Sequence, residues 1–189
     1  IPLVSSPHIV NGNALRVDWN DVLPAARCSY VLGNPPFVGA MVMNDSQRAD
    51  MAKVFADLKG FGILDYVSAW YWKAAHYIGS LDIRAAFVST NSITQGEQVG
   101  ILWAPLITRF GFHIGFAHRT FRWSNEAKGV AAVHCVIVGV SHRVPSVRRL
   151  FEYESVDSPA HEVAVSNINA YLVDAPGVFL TNRDSPISD

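Results

Sequence analysis

Cys28-Ser29-Tyr30-Val31-Leu32-Gly33-Asn34-Pro35-Pro36-Phe37 reads as a short strand stopped by a rigid turn. Each proline fixes its own φ near about −65° and biases the residue before it toward extended backbone, so neither strand nor helix runs through the pair. A strand that ends this way delivers Asn34 to the carboxyl edge of a sheet, where open α/β sheets place their sites. A planar amide beside a backbone carbonyl can accept both hydrogens of an exocyclic amine. An aromatic amine is a poor nucleophile while its lone pair is conjugated with the ring, and two acceptors favour the geometry that frees it. The chemistry asks for Asn34, the Pro35 carbonyl, the stiffness of Pro35 and Pro36, and a flat face at Phe37 on which a base can stack for about 1 to 3 kcal/mol. Asn-Pro-Pro-Phe is also an ordinary turn sequence. Its placement after a strand and before amphipathic helices favours the functional reading.

Upstream, His8-Ile9-Val10 reads as the end of a first short strand, closed by Asn11-Gly12-Asn13. Downstream, Asp45 or Ser46 caps a helix with Met51, Phe55 and Leu58 on one face, and a second helix from about Asp65 stops at Gly79. Ala85–Ser89 is a buried strand, and Gln98 to Phe110 is helical with Pro105 as a kink or a late start. His113–Ala117 and Ala131–Val138 are two more strands, joined by a polar loop from Arg119 to Lys128. These two pair antiparallel, since only a loop separates them. The pattern weakens after Arg143, and residues 155–189 look like a linker. Strands alternating with helices indicate a largely parallel α/β sheet.

Asn34-Pro35-Pro36-Phe37 resembles motif IV, (Asp/Asn/Ser)-Pro-Pro-(Tyr/Phe), of amino-methyltransferases. Gly12-Asn13-Ala14-Leu15-Arg16-Val17-Asp18-Trp19 resembles the segment that follows the third strand of the same enzymes. A longer run of ordered matches covers Gly33–Gly39, Leu64–Tyr71, Phe87–Val99, Phe121–Gly129 and Ile168–Leu172. Together they resemble the methyltransferase region of single-chain type IIL restriction–modification enzymes, within the wider IIG group.

The resemblance implies an incomplete class I methyltransferase (Rossmann-like) sheet with an antiparallel final strand, its first strands lying before residue 1. Residues 1–150 would be the C-terminal part of the catalytic domain, and residues 151–189 a linker toward a target-recognition domain. The implied activity is DNA adenine-N6 methylation with S-adenosylmethionine as cofactor. Asn34, Pro35, Pro36 and Phe37 would be catalytic, and Phe121 would form the second wall for a flipped adenine. Trp123 competes for that role or props the loop, while Lys128 and Arg122 would meet flanking phosphates. Asn13, Ala14 and Asn34 would lie at the cofactor. The family has an acid where this chain has Asn13, whose carboxamide can still pair with an adenine amino group. The implied partners are double-stranded DNA, a downstream recognition domain and an upstream endonuclease domain of the same polypeptide. The glycine-rich first turn that holds the methionine part of the cofactor, and the acid that grips its ribose, are not in this sequence. An isolated fragment of this kind should be inactive.

Half the residues are apolar and 16% are charged, which is the composition of a folded domain. No apolar run approaches the roughly 18 to 20 residues of a membrane span, and the first residues do not resemble a signal peptide. The net charge of −1 does not announce a nucleic-acid partner. Between Arg109 and Arg149, however, seven Lys or Arg face one acid, Glu126, a local excess that suits phosphates and equally suits a solvated face. Cys28 and Cys135 read as reduced core thiols, in keeping with a cytoplasmic protein. His113, His118, His134 and His142 lack metal-ligand spacing, so no metal is expected. Two rivals remain at this point: methylation of a protein glutamine or an RNA guanine by the same motif, and a non-catalytic domain that docks DNA or a partner.

Overall fold

The computed structural model describes residues 7–123 and 133–179. Their strands form one open sheet of order β1-β2-β4-β3-β5-β6. The strands are β1 (Tyr30–Gly33), β2 (Arg84–Thr90), β3 (His113–Trp123), β4 (Val133–Ser141), β5 (Arg149–Glu152) and β6 (His161–Ala164). The α-helices are α1 (Trp19–Val22), α2 (Asp45–Val54), α3 (Ser68–Ile78) and α4 (Gly96–Thr108). β1 and β2 run parallel. β4 then inserts antiparallel between β2 and β3. The α/β class and the antiparallel pairing of β3 with β4 are as expected, but the sheet expected to be largely parallel is mixed, with two parallel and three antiparallel pairings among the described residues.

Period-two burial fixes the register. Ala85, Phe87 and Ser89 of β2 are buried, while the alternate residues are exposed or half-covered. The buried face meets the aromatics of α3 and α4: Tyr71 packs edge-on against Phe87 at 5.0 Å and against Trp103 at 5.2 Å. Polar atoms inside this layer are paired, as burial requires. Tyr71 Oη lies 2.9 Å from Ser89 Oγ, and Trp103 Nε1 donates to the Ile93 carbonyl at 2.8 Å. On the opposite face the Phe116 ring lies over Gly139, where a Cβ would stand only 2.1 Å from the ring. Among the described residues β1 is paired on one side only, and Tyr30 and Leu32 are exposed along it.

Several local expectations are corrected. His8–Val10 forms no strand; its backbone has no ladder partner among the described residues, and His8 Nδ1 instead donates to the Val22 carbonyl at 2.8 Å. The α2 cap is Asn44, not Asp45 or Ser46, because Asn44 and Gln47 complete a reciprocal capping box that neither alternative can make. α2 ends at Val54, so Met51 lies in the helix and Phe55 just past it, both in the core. α4 passes through Pro105 as far as Thr108.

The loop expected from Arg119 to Lys128 is strand as far as Trp123, because Phe121, Arg122 and Trp123 pair with Cys135, His134 and Val133. Thr, Phe and Trp suit a pleated surface once a partner strand is present. The residues read as weakly patterned also join the fold. β5 runs parallel to β3, β6 pairs with β5, and Ile168, Ala170 and Leu172 reach the core.

Candidate active site

The turn after β1 leaves the sheet at Gly33. A Cβ there would lie 3.2 Å from the Phe87 ring, so a residue without a side chain lets the strand end close against β2. Pro35 is buried and Pro36 exposed, which anchors the turn at one ring and frees it at the next. Asn34 is exposed, and its carboxamide has no hydrogen-bond partner among the described residues. Phe37 is half-buried. A rigid loop with a free amide and a flat ring can receive a planar substrate bearing an amino group.

The loop is tied down just beyond this motif. The Val38 carbonyl accepts from the Tyr66 amide at 2.9 Å. The Ala40 amide donates to Asp65 Oδ1 at 3.2 Å. Asp65 Oδ2 accepts from Thr90 Oγ1 at 2.8 Å and also from Ser92 Oγ. Thr90 ends β2, so these bonds draw the loop from the end of β1 across the end of its neighbour. Gln98 completes the cluster, its Oε1 accepting from the Asp65 amide at 3.1 Å and its Nε2 donating to Oδ1 at 3.3 Å.

Phe121 sits on the same edge of the sheet. It pairs with Cys135, which pairs with Thr90, so it stands two strands from the loop's anchorage at the end of β2. The strands β1 and β3 are three ladder spacings apart, about 14 Å. Phe121 is half-buried, and its ring stacks on Tyr153 at 5.5 Å. Tyr153 Oη in turn meets His118 Nδ1 at 2.8 Å, and His118 stacks flat on Phe151 at 4.3 Å. Burial lowers the pKa of His118, which keeps this ring neutral. Trp123 closes β3 opposite Val133. Arg122 forms an ion pair with Asp157 at 3.3 Å, and Lys128 lies outside the described residues.

Asn13 and Ala14 begin a turn that is bound to α2 and α3. Asn13 Oδ1 accepts from the Leu15 amide at 2.9 Å, and Nδ2 donates to Asp50 Oδ2 at 3.0 Å. Asp50 is buried and bonded to Arg16 at 2.7 Å and to Tyr66 Oη at 2.8 Å. The hydrogen bond from Arg16 holds its carboxyl below the usual carboxylate range. Lys73 Nζ donates to the Leu15 and Val17 carbonyls at 2.9 and 2.5 Å. Beside this turn a groove of about 340 Å³ is lined by Gly12, Ala14 and Leu32 among other mostly apolar residues. The structure brings Asn34, Phe37 and Phe121 to one edge of the sheet, with Phe121 inside β3 and not in the loop expected for it. Sequence reasoning missed Asp50, Asp65, Tyr66, His118 and Tyr153, whose partners are distant in the chain.

Residues 1–152 match the family described as MmeI, DNA-methyltransferase domain. The chain belongs to this family. It is 42% identical over 191 residues to DNA methyltransferase A of Bacillus subtilis (strain 168), a match that covers all of this chain and 21% of that protein. The solved type IIL restriction-modification enzyme MmeI, in complex with DNA, aligns with a TM-score of 0.93 at 54% identity, over 100% of this chain and 25% of that one. The type IIG restriction endonuclease BpuSI shares the fold, with a TM-score of 0.51 and 15% identity over 76% of this chain and 17% of that one. The MmeI-type domain is thus represented by a chain spanning about a quarter or less of its close relatives' length.

Proposed function

We propose that this chain is the target-base side of a site-specific DNA adenine-N6 methyltransferase within a restriction–modification polypeptide. The observation that carries the reading is the exposed Asn34 carboxamide, without a partner among the described residues, on a proline-stiffened loop at the carboxyl edge of the sheet. The extruded adenine would lie between Phe37 and Phe121, with Trp123 at the end of the same strand. Its amino hydrogens would be accepted by Asn34 Oδ1 and the Pro35 carbonyl, so that nitrogen lone-pair density is turned out of ring conjugation. Enzymes acting on a base inside a duplex must extrude it, and aromatic faces compensate for the lost stacking.

The residues present fit one side of an S-adenosylmethionine site. Gly12, Ala14 and Leu32 line an apolar groove with room for a flat ring, and Leu32 is two residues from Asn34. The cofactor, when bound, supplies an electrophilic methyl group on a sulfonium. Asn13 holds the shape of the adjoining turn through Leu15 and Asp50. Lys128 would meet a phosphate of double-stranded DNA. An endonuclease domain before residue 1 and a target-recognition domain after residue 189, in one cytoplasmic polypeptide, complete the proposal. Residues 1–150 then belong to the catalytic domain, and residues 151–189, which first add β6 to its sheet and Ile168, Ala170 and Leu172 to its core, lead on toward recognition.

The test offers the full-length polypeptide labelled S-adenosylmethionine with duplex DNA, structured RNA or a glutamine-bearing peptide in parallel. The expected result is label in DNA only, recovered as N6-methyladenine. Label in RNA or peptide would transfer the motif to another amine, and binding of DNA without transfer to any substrate would leave a docking domain.

A further inference from the structure

Two adjacent residues in front of α3 hold the two halves of the proposed site. Asp65 and Tyr66 are 6% and 3% exposed. Asp65 spends its carboxylate on the target-base loop and the end of β2: it accepts from the Ala40 amide, Thr90 Oγ1, Ser92 Oγ and Gln98 Nε2. A buried carboxylate with four donors is well satisfied, whereas an amide in its place would turn an N–H toward donors on one side. Tyr66 faces the other way. Its hydroxyl donates to Asp50 Oδ2 at 2.8 Å and lies 3.5 Å from Asn13 Nδ2, on the turn beside the apolar groove. Its own amide reaches the Val38 carbonyl at 2.9 Å, so the two attachments are joined by a single peptide unit.

We propose that Asp65 and Tyr66 are paired positioning residues that set the spacing between the acceptor loop and the cofactor-side turn. Asp65 acts on the loop that carries Asn34, and Tyr66 acts on the turn that carries Asn13 and Ala14. Neither residue needs to touch a reacting atom. A transfer reaction depends steeply on the distance between donor and acceptor, and a displacement of about 1 Å can cost on the order of a hundredfold in rate. The inference rests on the functional reading above.

The experiment uses the full-length protein with Asp65→Asn, Tyr66→Phe and, as a control on the reading itself, Asn34→Ala. Amide hydrogen exchange, equilibrium binding of S-adenosylmethionine and single-turnover methylation at saturating cofactor are measured for each. Asp65→Asn is expected to speed exchange at residues 38–42 and to lower the single-turnover rate on the order of tenfold or more. Tyr66→Phe is expected to speed exchange at residues 13–17 and to weaken cofactor binding about fivefold, the worth of one hydrogen bond. The two losses fall on different parameters. Equal losses of both parameters in both variants, or unchanged exchange in both segments, would overturn the proposal. If Asp65→Asn does not fold, Gln98→Leu removes one arm of the same cluster and carries the same expectation. Wild-type protein that transfers no methyl group overturns the functional reading and not the two attachments, which the exchange data judge alone.

Discussion

The buried ring of Pro35 and the exposed ring of Pro36 turn the chain outward, and the Asn34 carboxamide is carried to the surface with no partner among the described residues. An amide in that state is free to accept from a substrate. Phe121 is held differently: it rests on Tyr153, which is fixed by His118 and, through it, Phe151. Such a backing keeps an aromatic face presented without the substrate having to order it. Phe121→Ala in the full-length protein is therefore expected to weaken binding of duplex DNA with 2-aminopurine at the target base by about 1 to 3 kcal/mol. The fluorescence rise of the extruded analogue should fall with it. A variant that binds and extrudes the analogue like wild type would remove Phe121 from the base site. At this scale the sequence was most legible for Asn34 to Phe37, whose strand-ending turn and exposed amide follow from four consecutive residues. It was least legible for Asp65, whose carboxylate partners lie 25 to 33 residues away along the chain and meet it only once the sheet has formed.

Elements were legible where the pattern was local and long. α3 and its stop at Gly79 follow from periodicity and a turn residue, β2 from a short apolar run, and the antiparallel pairing of β3 with β4 from the short connection between them. The end of β3 did not. Arg119–Trp123 is too polar to announce a strand, and its extended form comes from the ladder with β4, in which two bulges absorb the irregular spacing. β5 and β6 are four residues each and draw their stability from strands already in place. The close packing of Phe116 on Gly139 is another contact visible only between elements, and it yields a sharp expectation. Gly139→Ala would put a methyl group inside the ring's volume and destabilise the sheet by about 1 to 3 kcal/mol, read from urea unfolding of the full-length protein by tryptophan fluorescence. In a Phe116→Leu background the penalty should shrink. Equal penalties in the two backgrounds would show that the ring is not the obstacle.

For the molecule as a whole, two kinds of group make stability depend on acid. His113 and His118 have pKa values lowered in the fold, chiefly by burial. Their contribution is fully present above the ordinary histidine value of about 6.5 and is lost as pH falls through the lowered folded values. Asp50, held down chiefly by the Arg16 hydrogen bond, contributes above the ordinary aspartate value of about 3.9 and is lost below it. Urea midpoints measured against pH should thus decline in two stages, and His118→Phe should remove part of the first. A flat profile between pH 7 and pH 5 would contradict the lowered pKa values of these half-buried rings.

Across the whole molecule, β1 is paired on one side only among the described residues and runs beside the apolar groove at the Asn13 turn, which supports the proposal of a cofactor site completed by further chain of the same polypeptide. On the proposed function, Asn34 presents the acceptor for an adenine amino group. The most direct measurement expresses the full-length protein in a host without adenine methylation of its own and maps N6-methyladenine across that host's DNA, beside Asn34→Ala. Methyladenine at one recurring sequence motif is expected with wild-type protein, and a loss on the order of a hundredfold or more in the variant. Methylation that survives Asn34→Ala, or a folded, cofactor-binding wild type that leaves the DNA unmarked, would contradict that function.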